Sequence, residues 1–164
     1  MSEPTFWRTE IWHPLSVHFP IAILLLATIA KSVALFVQGD QKPFWQKAGS
    51  YLLYLGFITA WVAIYTGDMA DGIVSRKLCD PTVLKDHEIA AFNVAYLFSA
   101  AAALNLLLSF GLIKVWPKAL HVLTVVLMLI GSGYLTYAGH LGAQVVYQQA
   151  GGVNIPTSDC AGFE

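Results

Sequence analysis

The sequence predicts an all-α integral membrane protein: one domain, a four-transmembrane-helix bundle, with both termini on the outer, periplasmic side. Three observations carry that expectation. Of 164 residues, 57% are hydrophobic and only 12% charged, with a mean hydropathy of +0.62; a soluble domain needs about twice that charged fraction to face water. Four stretches, near 14–37, 50–70, 89–113 and 119–147, each offer the roughly 20 mostly apolar residues that a bilayer crossing requires. The connections are short apart from 71–88, and no internal repeat or low-complexity tract is legible. The net charge of −1 and the two cysteines exclude a nucleic-acid-binding surface and a disulfide-dense scaffold. The apolar content excludes disorder.

The first helix is introduced by HPLSVHFP. Pro14 suits a first helical position, where a missing N–H costs nothing. Pro20 kinks the early helix and frees the Ser16 carbonyl, unless the helix proper starts at Pro20. The sequence leaves both starts open, so the interval between His13 and His18 defines no angle. Lys31 interrupts this span and is expected to snorkel to the inner boundary. The preceding MSEPTFWRTE lacks a basic n-region and an A-x-A-like site, so a cleaved signal peptide is not expected.

The second helix ends in YTGDMADG, which sets Asp68 and Asp71 at its outer end. Asp86-His87-Glu88 opens the third, with Asp86 as the expected N-cap and acids at the positive end of the dipole. Asn93 and Asn105 are polar at depth and suited to bonds between helices. The fourth helix carries Ser132, Thr136, His140 and Ala143 on one stripe, with Gly133, Gly139 and Gly142 beside it. Such small residues make room for a flat macrocycle or for close helix packing, and spacing does not choose between them. Trp7, Trp12, Trp45, Trp116, Tyr51 and Tyr147 read as interface anchors.

Orientation follows from the loops. Residues 38–49 and 114–118 carry Lys42, Lys47, Lys114 and Lys118 against Asp40 alone, a pattern that favours the cytoplasm. Arg8, Arg76, Lys77 and Lys85 on the other side make that bias small. Cys79 and Cys160 both fall on the terminal side, where an oxidising periplasm permits a Cys79–Cys160 disulfide tying loop to tail. The expected location is a bacterial inner membrane, multi-pass, N-out and C-out.

The histidines are not scattered. His13 and His18 lie at the outer start of the first helix, His87 at that of the third, and His140 near the outer end of the fourth. His121 begins the fourth helix; its nineteen-residue separation from His140 spans about 28 Å, so it faces the cytoplasm and is expected to be structural. Four imidazoles from three helices are thus expected within about 10 Å of depth. Ionisable side chains inside a bilayer usually turn inward or mark function. Asp68 is the expected acceptor for the spare ring N–H of a ligating histidine.

The run HPLSVHFPIAILLL, the segment TGDMADG, the start of the helix at His87 and the ending GHLGAQVVYQQAGGV resemble a bacterial family of small membrane proteins of unknown function, family 2231. The resemblance extends across most of 12–153. It implies a four-helix module whose characteristic histidines correspond to His13, His18, His87 and His140. In some relatives the module is joined to c-type cytochrome domains, which implies a redox setting. This chain has no CxxCH and would not attach such a haem itself.

Haem b in a membrane bundle is commonly held by two imidazoles from facing helices. Four histidines allow two bis-His haems, and one pair allows one. Its glycine-rich setting ranks His140 first, with His18 or His87 opposite; His13 with His87 forms a second pair or meets the propionates. The expected function is a b-type cytochrome carrying electrons between the quinone pool or a partner complex and an outer-face acceptor, rather than a stand-alone enzyme. Expected partners are membrane lipid, quinone and a redox protein such as a c-type cytochrome or respiratory complex. Two alternatives stand beside it: a copper, zinc or iron site on the clustered histidines and Asp68, and a structural subunit without a cofactor. Neither HxxxH nor HExxH occurs to favour the metal site. Without broken inverted repeats, transport is poorly supported.

Overall fold

Proline and glycine punctuation decides where the helices of this chain start and stop. In the computed structural model, which describes residues 7–153, α1 spans Thr9–Ser16 and α2 His18–Phe36. Then come α3 (Gln41–Val74), a 3-10 turn (Ser75–Lys77), α4 (Pro81–Ser109) and α5 (Pro117–Tyr147). The first helix therefore begins at Thr9, ahead of either start left open by the sequence, and Pro14 lies inside α1. Val17 separates α1 from α2 yet keeps right-handed dihedrals, so Thr9–Phe36 forms one nearly continuous span. The interruption sits where Pro20 has no N–H to return to the Ser16 carbonyl. The neighbouring bonds, Val17 N to His13 O (3.1 Å) and Ile21 N to Val17 O (3.2 Å), remain.

The connection 71–88 is shorter than its sequence suggests, because α3 continues to Val74 and α4 starts at Pro81. The N-cap of α4 is Asp80, not Asp86: its carboxylate accepts the Thr82 N–H at 3.0 Å, and Pro81 fills the first helical position. His87 consequently sits well inside α4. That helix stops at Ser109, short of the expected 113, because Gly111 takes a φ of +65°. Gly111 N donates to Leu108 O and Leu112 N to Leu107 O, the paired closing bonds that a left-handed residue permits.

The α1–α2 rod, α3, α4 and α5 alternate in direction. α2 packs on α3 and α4 on α5, the two pairs join through α3 with α4 and α2 with α5, and α1 lies along α3. The α1–α2 rod and α4 therefore stand diagonally across the bundle. Leu24, Leu53, Phe98 and Met128 fill its middle. A Cβ on Gly56 would lie 2.4 Å from Leu24, and one on Gly131 would lie 2.8 Å from Phe98, so glycines seat these two large side chains. Leucines, isoleucines and aromatics point outward instead, among them Leu26, Ile29, Ile58 and Leu129. All four rods are long and apolar enough to cross a membrane, and the exposed apolar surface is the face that meets lipid. The starts of α1 and α4 share one end of the bundle with the finish of α3 and α5, here termed the histidine end. The connections 37–40 and 110–116 form the lysine end.

Lys31 does not snorkel. It is 5% exposed and turns into the bundle, where Nζ donates to Ser50 Oγ at 2.8 Å and to Asn105 Oδ1. Polar acceptors on α3 and α4 hold it inside, in place of the water that a snorkelling lysine seeks. Asn105 bonds across helices as expected, donating to Ser50 Oγ (3.1 Å) and Tyr54 Oη (2.7 Å).

Candidate functional site

At the histidine end two imidazoles meet. His13 reaches from α1 and His87 from the diagonally opposed α4, with ring centroids 6.0 Å apart and ring planes at 78°. His13 Nδ1 lies 3.0 Å from the Ala63 carbonyl of α3, and His87 Nδ1 lies 2.9 Å from the Ala138 carbonyl of α5. A carbonyl only accepts, so in both rings Nδ1 carries the proton and donates. In the neutral form of either ring the lone pair is then left on Nε2.

Glycine makes this contact possible. One turn beyond each accepting carbonyl the helix has Gly67 or Gly142. A Cβ on Gly67 would lie 3.2 Å from both Cε1 and Nδ1 of His13; one on Gly142 would lie 3.2 Å from Cε1 and 3.4 Å from Nδ1 of His87. Each ring thus rests on a bare stretch of the neighbouring helix. A hydroxyl pair adds a tie on one side, with Ser16 Oγ 2.8 Å from the buried Thr66 Oγ1, which fixes α1 against α3. Ala90, Ala138 and Leu141 form a buried apolar cluster beside His87.

The two halves of the site repeat. His13 precedes its accepting alanine by 50 residues and His87 by 51, and a glycine follows four residues after each alanine. One antiparallel helix pair supplies each half. No repeat is legible in the sequence, because a histidine, an alanine and a glycine per half keep their spacing only to within one residue. That spacing was the signal available.

The other candidates lie elsewhere. His140 is exposed on α5, and its Nε2 accepts from Gln144 Nε2 at 3.1 Å one turn along the same helix. It stands two residues from Gly142, roughly 200° round the helix, and so faces away from His87. Gly133 and Gly139, expected to clear space around His140, are exposed with nothing within 4 Å of a Cβ built there. His18 is exposed at the start of α2. The pair that the sequence ranked second, His13 with His87, is therefore the pair brought together. Asp68 is exposed, and the acceptor role expected of it is taken by the Ala63 and Ala138 carbonyls, which sequence reasoning missed. The bare glycines bring those backbones under the rings, while Asp68 points about 100° further round α3 than Gly67.

Among the described residues, no group of three or more His, Cys, Asp and Glu side chains is gathered as a metal site. Cys79 is exposed between the 3-10 turn and α4, while Cys160 lies outside the described residues. His121 is half-buried at the lysine end, as expected of a residue apart from the site.

The DUF2231 model, described as a predicted membrane protein, matches residues 11–154 and so takes in both imidazoles, both accepting alanines and both glycines. No curated protein and no solved structure matches the chain.

Proposed function

The chain belongs to the DUF2231 family of predicted membrane proteins, and on that premise we propose that it is a b-type cytochrome in which His13 and His87 would hold the haem. The observation that carries this reading is the pair of imidazoles packed edge to face, with both Nδ1 atoms committed to backbone carbonyls. That hydrogen bond selects the tautomer with Nε2 available and raises its basicity, as is usual for a ligating histidine. Two imidazoles from facing helices are the protein donor set that haem b commonly takes in a membrane bundle. A tetrahedral zinc site requires two further donors, so the donor set fits haem better than the non-haem alternative.

When bound, the haem supplies one-electron exchange. The chain's own part is to orient the two rings, hold their protons on Nδ1 and place an apolar cluster beside His87. His13 is four residues, about 6 Å, from the start of α1, and His87 is six, about 9 Å, from the start of α4. So shallow a site suits exchange with an acceptor at the membrane surface. With the lysine end cytoplasmic, that acceptor is periplasmic, both termini lie outside, and electrons arrive from the quinone pool or a partner complex of the inner membrane.

The test is a reduced-minus-oxidised spectrum with a pyridine haemochrome assay on protein purified from haem-replete membranes. A b-type signal near one haem per chain is expected, abolished by His13→Ala and by His87→Ala and retained in His140→Ala and His121→Ala. A colourless wild-type protein, or equal loss from His121→Ala, overturns the reading.

A further inference from the structure

The lysine end holds a buried lysine with no acidic partner among the described residues. Lys31 is buried within a membrane-spanning helix, and its stem passes over Gly49 of α3. A Cβ there would lie 2.8 Å from Lys31 Cγ and 3.1 Å from its backbone nitrogen, so glycine is what lets α2, α3 and the lysine stem share this space. Its hydrogen-bond partners, Ser50 and Asn105, are both neutral. In its ammonium form Lys31 has three N–H groups, so two neutral acceptors leave one donor and the charge without a partner among the described residues. The ion pairs among the described residues, Arg8–Glu10 and Lys85–Glu88, lie at the other end. A buried charge is costly unless something of opposite sign compensates it.

Further positive charge gathers around it. His121 lies in the first turns of α5 and the exposed Lys42 in the first turn of α3, at the same end of the bundle as the finish of α2. Three cationic or protonatable groups from three helices therefore share one end of the bundle. Asp40, the nearest acid in sequence, is exposed in the connection before α3. Lys31 is five residues, about 7.5 Å, from the end of α2, close to the depth at which lipid headgroups begin. Exposed apolar residues run down from this end on both flanking helices, Leu26 and Ile29 on α2 and Val122 and Val126 on α5.

We propose that the lysine end binds the phosphate of an anionic phospholipid. Lys42 and His121 contact it at the rim, Lys31 acts behind them as a fixed buried charge, and the acyl chains lie on the exposed apolar faces of α2 and α5. A headgroup phosphate satisfies charge and depth together, and the acyl chains account for the apolar flanks, which a free phosphate ion leaves unused. The reading is independent of any cofactor at the histidine end.

The experiment is native mass spectrometry of the full chain released from micelles containing phosphatidylcholine with and without phosphatidylglycerol, and separately with inorganic phosphate. Phosphatidylglycerol should be retained in preference to phosphatidylcholine and should resist displacement by inorganic phosphate. Lys42→Ala should weaken retention roughly fivefold, the effect of one well-placed lysine near an anionic headgroup. Lys114→Ala, which removes the same charge from the neighbouring loop, should leave retention unchanged. Lys31→Met should weaken it as well, judged only on protein whose circular dichroism remains helical; the surface variant Lys42→Ala decides the matter if Lys31→Met does not fold. Equal losses from Lys42→Ala and Lys114→Ala would show general charge attraction and overturn the site. So would the lack of any preference for phosphatidylglycerol, or its full displacement by inorganic phosphate.

Discussion

Replacing Gly142 by alanine tests the imidazole cradle most directly, because α5 provides its own control. The new Cβ would lie 3.2 Å from His87 Cε1 and 3.4 Å from Nδ1. The ring must then shift by a few tenths of an ångström, which lengthens the 2.9 Å bond from Nδ1 to the Ala138 carbonyl. Losing that hydrogen bond costs about 0.5–1.5 kcal/mol, and crowding a packed contact costs about 1–3 kcal/mol. The gain in helix propensity from glycine to alanine returns about 1 kcal/mol. The balance is a loss of roughly 0.5–3.5 kcal/mol. Gly139→Ala, less than one turn away, meets nothing within 4 Å; it gains propensity alone and should stabilise the protein by up to about 1 kcal/mol. Thermal unfolding of both variants in one detergent reads the sign difference, and nitrogen-15 chemical shifts of His87 read whether Nδ1 still carries the proton. If Gly142→Ala is stabilised as much as Gly139→Ala, with the His87 tautomer unchanged, the ring does not rest on that glycine and the argument fails.

Three other outcomes are expected. Gly67→Ala should reproduce the sign of Gly142→Ala, because His13 lies over Gly67 at the same 3.2 Å; opposite signs in the same unfolding assay would refute the repeat. The Asp80 carboxyl is held below its ordinary value by hydrogen bonds from the Thr82 hydroxyl and backbone N–H. Its cap is therefore fully formed above the ordinary aspartate value of about 3.9 and lost as pH falls through the lowered folded value. Hydrogen exchange at Thr82 should accelerate across that acid window in the wild type, whereas Asp80→Ala should exchange fast at every pH. A Cys79–Cys160 disulfide predicts an intact mass two hydrogens below the dithiol form in protein from native membranes, and free thiols at both positions would remove it.

Much of the architecture was legible in the sequence. The apolar length of the four spans is a demand of the hydrocarbon core, so composition alone locates them. Their ends were less legible, because a helix runs on past the hydrocarbon until a cap or a left-handed residue stops it. Asp80 with Pro81 and Gly111 mark those stops, and expecting a long loop at 71–88 hid the first of them. The placing of His13 and His87 near one membrane face was also legible, since depth is a count of residues along one helix.

Direction around the helix was not. His140 appeared the best ligand because small residues surround it, yet those residues lie on an exposed face, and the glycine beneath His87 is Gly142, two positions on. Lys31 seemed bound for the surface because its own helix offers it no partner; Gly49, Ser50 and Asn105, on two other helices, hold it inside. The sequence by itself determined how many times the chain can cross a membrane and toward which end of its span each polar residue lies, because both follow from counting residues along one helix. Which residues face one another was decided only by tertiary packing, since the rotation of each helix follows from the glycines and alanines of its neighbours.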